Sequence, residues 1–167
     1  MGARHLALAP APTEARPPRS LARVSAALRR PLHEVAELTG LTLATAGALV
    51  SLAGDEGDHV YGAVAVAPSG DGLAPGVARL CRRIVATAAP ICAANVSIGS
   101  FGELGTFAGV PLTLADEHVA GALAVVAAPS RIWTPLDIRL LAGLAARAAT
   151  EIQLALAESR DDQRAGT

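Results

Sequence analysis

The chain has 167 residues, a net charge of −1, and fourteen basic residues, all arginine, against fifteen acidic ones. That length supports one domain with one core, because a chain this size buries roughly two thirds of its unfolded surface. The near-neutral balance excludes the dense basic footprint of a nucleic-acid binder, and although 51% of residues are hydrophobic, no run reaches the roughly 18 uninterrupted apolar residues of a bilayer span.

Residues 1–19 contain Pro10, Pro12, Pro17 and Pro18 and no apolar periodicity. They read as a disordered leader whose prolines interrupt any signal-peptide core, which makes a cytoplasmic location the expectation. Arginines gather early, at Arg16, Arg19, Arg23, Arg29 and Arg30. No aromatic ring is interleaved for base stacking, so they read as a solvated face.

From Ser20, a plausible N-cap, Leu21, Val24, Leu28, Leu32, Val35 and Leu38 recur at helical spacing. Pro31 falls inside this pattern and predicts a kink or break, with a second helix ending near Gly40 or Thr45. The apolar segment 47–53 and the extended segment 59–67 flank GDEGD and predict a β-hairpin. Val77, Leu80, Cys81, Ile84 and Val85 predict a helix ending before Pro90, and ICAANV the next strand. Beyond the loop 99–105, two strands are expected over 106–114 and 118–127, joined by Ala115, Asp116 and Glu117. The second is apolar almost throughout, as a strand covered on both faces must be.

The last element carries the strongest signals. Thr134 as N-cap, Pro135 at the first helical position and Asp137 two residues later mark a helix start of the capping-box kind. Ile138, Leu141, Ala145, Ala148, Ile152 and Ala155 form one buried stripe. A second stripe, Leu136, Leu140, Leu144, Arg147, Glu151 and Leu154, lies beside it. One sheet does not cover both, so the second stripe predicts a helix-mediated homodimer or partner contact. The whole reads as an α+β domain over 20–158, a single antiparallel sheet of about five to six strands flanked by N- and C-terminal helices, with a flexible tail at 159–167.

Several of these residues resemble the GAF domain family. FAGVPLTLADEHVAGALAVV is similar to its aromatic-small-Gly-Val-Pro-Leu strand, short turn and Gly-x-Leu strand, and SRIWTPLDIRLLAGLAARAATEIQLAL to its closing helix. In LCRRIVATAAPICAAN, Cys81 precedes Pro90 by nine positions, as in the family's helix-then-strand segment. The likeness spans residues 20–158 and implies a GAF/PAS-like regulatory module of bacterial signalling chains. Three departures stand out: Ala88-Ala89-Pro90 replaces Gly-Glu-Pro, Ala93-Ala94-Asn95 lacks the aspartate common after that strand, and Asp116-Glu117 replaces an Asp-Gly turn.

The resemblance places a ligand pocket between the sheet and the crossing helix, lined here by Tyr61, Cys81, Ile84, Phe101, Phe107 and Val110, which suits a small apolar ligand if it is not simply core. Other chemistries lack a required residue. A bilin attached at Cys81 would want a histidine next to it, where this chain has Arg82. The loop 95–106 holds neither the cysteine of the family's sulfoxide reductases nor the histidine of its haem binders. Cys81 and Cys92 are too few for a disulfide framework, and His5, His33, His59 and His118 have no metal-site spacing. No cofactor, metal, nucleic acid, membrane or catalytic residue is expected. A signalling module that binds a ligand or partner protein and transmits through its terminal helices is the first reading. A degenerate fold used only for dimerisation or scaffolding is the second, and a helix-turn-helix regulator built on PLHEVAELTGLTLATAGALVSL the third.

Overall fold

The computed structural model describes residues 21–45, 47–54, 59–64, 73–98 and 104–166. Its elements are α1 (Leu21–Thr42), β1 (Gly47–Leu52), β2 (His59–Val64), α2 (Pro75–Thr87), β3 (Ile91–Ser97), β4 (Leu104–Thr113), β5 (Val119–Ala127) and α3 (Pro135–Ala165). The strands form one sheet in the order β2-β1-β5-β4-β3, every neighbouring pair antiparallel. This is the α+β single-sheet architecture, with five strands. The leader 1–19 lies outside the described residues.

Two expectations about helices need correction. Pro31 does not divide the first helix; α1 runs through it for 22 residues. An internal proline costs about 3 kcal/mol, and the row Leu21, Val24, Leu28, Leu32, Val35 and Ala36, buried on both sides of Pro31, offsets that cost by anchoring both halves to one surface. The same continuity removes the helix-turn-helix: ELTGL falls at the end of α1 and Gly47–Leu52 is a strand. At the other end, residues 159–165 continue α3 as helix. They contain neither glycine nor proline to stop it.

Period-two alternation divides the core between the two sheet faces. Ala48, Val50, Leu52, Tyr61, Ala108, Val110, Leu112, Leu123 and Val125 point to one side, where α1 and α3 pack on them and on each other. Leu49, Phe107, Ala122, Ala124 and Val126 point to the other, under Val77, Cys81 and Ile84 of α2. β5, between β1 and β4, is buried at all nine positions. Its continuous apolarity is thus required by cover on both faces.

α3 is long and apolar enough to pass for a bilayer span, and 33% of that stretch is buried inside the domain. Leu141, Ala145, Ala148, Ala149, Ile152 and Leu156 are buried within the domain. Its start is fixed as expected: the Asp137 N–H donates to Thr134 Oγ1 at 3.2 Å, and the Thr134 N–H donates to Asp137 Oδ2 at 2.8 Å.

Candidate functional site

The five described side chains of the six assigned to a ligand pocket do not share a face. Tyr61 and Val110 belong to the core beneath α1 and α3, whereas Cys81, Ile84 and Phe107 belong to the core beneath α2. Phe107 and Val110 are three residues apart on one strand, an odd spacing that sends them to opposite faces. That signal was present in the sequence. Phe101 lies outside the described residues.

Beneath α2 the side chains are packed tightly. A Cβ added at Gly109 would fall 2.5 Å from Ile84 Cδ1 and 2.9 Å from Phe107 Cζ. The aromatic ring and the isoleucine therefore fill the space above a residue that has no side chain of its own.

Thiolate chemistry needs a lowered pKa beside positive charge. Cys81 is buried while Arg82 and Arg83 point to solvent. Cys92 reaches solvent on β3, and desolvation pushes its thiol above the usual range. Among the described residues, no three His, Cys, Asp or Glu side chains gather as a metal site.

The second stripe of α3 leaves a row of leucines uncovered along one helix, whereas Leu41, Leu104 and Ile132 are exposed on other segments. Leu136 is 56% exposed, Leu140 39% and Leu154 55%. Arg147 is exposed, Glu151 is half-buried, and Leu144 is half-buried against the core. Leu136 and Leu140 are one turn apart, with Leu154 farther along the helix.

Arg131, which composition and spacing did not single out, joins the two terminal helices. Its Nη1 donates to the Leu43 carbonyl just beyond α1 at 2.5 Å, and its Nη2 contacts Asp137 Oδ1 in the first turn of α3 at 3.1 Å. Its backbone N–H donates to Thr106 Oγ1 of β4 at 3.2 Å, and its guanidinium stacks 4.5 Å from the Trp133 ring centroid. The sequence signal available was an arginine two residues before a tryptophan and six before a capping-box aspartate.

Arg131→Ala should destabilise the domain by about 1–2 kcal/mol, the lower part of the range for charged hydrogen bonds because a third of the side chain is exposed. Arg131→Lys should recover only part, since an ammonium cannot reproduce the two-pronged contact. Equal urea midpoints for wild type and Arg131→Ala would remove the link. The Asp137 carboxyl lies below its ordinary range, chiefly through the Thr134 backbone N–H and further through the Thr134 hydroxyl and Arg131. A depressed carboxylate contributes stability that is present above about pH 4 and is lost as pH falls through its own lower value.

The model of the GAF domain family matches residues 25–152. The second GAF domain of DevS from Mycobacterium smegmatis superposes with a TM-score of 0.58 at 23% identity, covering 80% of this chain and 98% of that one. GAF3 from Slr1393 of Synechocystis sp. PCC6803 gives 0.60 at 15% identity, with 80% and 98% covered. The GAF domain of an Acinetobacter phosphoenolpyruvate-protein phosphotransferase gives 0.57 at 14%, with 84% and 95% covered. No curated protein sequence matches significantly. These structural likenesses establish a shared fold, and with the family match across most of α1, the whole sheet and the first half of α3, the chain belongs to the GAF domain family, a family of sensory and regulatory signalling modules.

Proposed function

We propose that this chain is a cytoplasmic regulatory GAF module that acts by binding and not by catalysis, forms a homodimer along the exposed stripe of α3, and passes changes in the packing of α1 and α3 to a signalling partner. The observation that carries this reading is the exposed row Leu136, Leu140 and Leu154 on a helix that buries its opposite side in the core. Uncovered leucines spaced along one helix provide the apolar seam of a helix–helix interface. Arg131 adds a route for transmission, because it ties the C-terminal end of α1 to the first turn of α3, so that a shift of one helix is passed to the other.

Leu136→Glu/Leu140→Glu should halve the mass seen by light scattering while leaving the circular dichroism of a folded domain. A wild-type chain that is monomeric at micromolar concentration, or a double variant of unchanged mass, overturns the homodimer. The scaffolding form of this reading has support of its own: the close approach of Ile84 and Phe107 over Gly109 fills much of the space an apolar ligand would take beneath α2.

A further inference from the structure

We propose that the cleft between α1 and β2, where Arg29 and His33 of the helix face His59 and Tyr61 of the strand, binds a small anion carrying a phosphate or carboxylate group. The cleft has a volume of about 490 Å³, within the range of roughly 300–1,000 Å³ typical of small-molecule sites. It lies on the opposite side of the sheet from α2 and is apart from the exposed stripe of α3. Its ligand class differs from the apolar one considered for the α2 side.

The chemistry of the lining is one-sided. Arg29 and His33 are one helical turn apart on α1, and His59 opens β2, an edge strand of the sheet. Tyr61 follows two residues later, and its hydroxyl donates to the Ser25 carbonyl at 3.2 Å, which fixes the ring as the floor between helix and strand. The Arg29 charge is close enough to oppose the upward shift that burial imposes on the Tyr61 phenol. Among the described residues that line the cleft there is no carboxylate.

The nearby acids of α1 are engaged elsewhere or shared. Glu34 pairs with Arg30 at 2.8 Å, and Glu37 lies 3.3 Å from His33 Nε2. His33 thus meets a carboxylate already, which leaves Arg29 and His59 as the anchors. Arg29 has no ion-pair partner among the described residues. Its planar fork of N–H donors matches two oxygens of a phosphate or carboxylate. An anion held between Arg29 and His59 would tie a terminal helix to the edge of the sheet, a consequence that rests on the regulatory reading above; the binding itself does not.

The test is calorimetric titration of the full chain with adenosine monophosphate, with citrate and with calcium chloride. Saturable binding of either anion in the millimolar range or tighter is expected, and the tighter of the two identifies phosphate or carboxylate as the group recognised. Arg29→Ala and His59→Ala should each weaken it about tenfold or more, with unchanged circular dichroism, while Arg139→Ala on the exposed side of α3 should not. Absence of saturation with both anions overturns the site, as does equal weakening by Arg139→Ala, which would mean unspecific attraction. Asp55, Glu56 and Asp58 precede His59 in the chain, so calcium binding in place of anion binding would also overturn it. Leu136→Glu/Leu140→Glu should leave anion binding unchanged, so this site and the dimer fail separately.

Discussion

Phe107→Ala is expected to lower the free energy of unfolding by about 3–5 kcal/mol, the range for truncating a large aromatic in a core. Phe107 is completely buried on β4, opposite Ala93 of β3 and Val126 of β5, and clusters with Val77, Cys81 and Ile84 of α2. Its ring lies over Gly109 two residues along the same face. Ala122 and Ala124 of the same cluster are too short to swing in and fill the void. A urea titration should show a lower midpoint at unchanged slope. The cavity left behind should stay dry and accept benzene, which would then raise the melting temperature of the variant and not of the wild type. A loss below about 1 kcal/mol would mean that the ring borders open space, and would return Phe107 to the role of a pocket wall.

Fold and site were legible to different degrees, for physical reasons. The capping box at Thr134 and Asp137 and the nine apolar residues of β5 are local signals, written within a few residues of what they specify. Pro31 was misread because its local preference is real and is overridden only by burial along the whole of α1. Arg131 was missed because its partners Leu43 and Thr106 are 88 and 25 residues away. The cleft of α1 and β2 likewise joins residues about thirty positions apart, and read singly Arg29, His33 and His59 are ordinary surface residues.

Departures from the family pattern become intelligible as backbone geometry. Ala88, where relatives carry glycine, closes α2 in the left-handed region at φ 51°, with its N–H donating to the Ile84 carbonyl at 2.8 Å. Glu117, in place of the turn glycine, sits at φ 64°. Both positions require a conformation glycine adopts without penalty, which costs another residue roughly 1 kcal/mol. The glycines of relatives there thus read as turn residues. Their absence here removes a little stability and says nothing against a ligand.

The opposite holds for Gly121, the glycine of the Gly-x-Leu strand, and its replacement should be far more damaging. Gly121 pairs with Leu52 of β1 and Leu112 of β4 in the middle of the sheet. A Cβ there would fall 2.0 Å from the Ser51 carbonyl oxygen and 3.0 Å from Leu52 Cα. Those are backbone atoms of a paired strand, so no rotamer change relieves the collision; β1 must separate from β5 at that end and expose hydrogen-bonding groups that water does not otherwise reach. Gly121→Ala should therefore cost at least about 3 kcal/mol, the top of the usual range for overpacking, and lower the melting temperature by about 10 °C. Gly143→Ala is the matched comparison: the same methyl group added on α3 meets nothing within 4 Å, and it should stabilise the helix by about 0.5–1 kcal/mol. Equal effects at the two positions would show that β1 and β5 approach less closely than this geometry requires. Opposite signs would identify the motif's glycine as the place where two central strands come too near for any side chain.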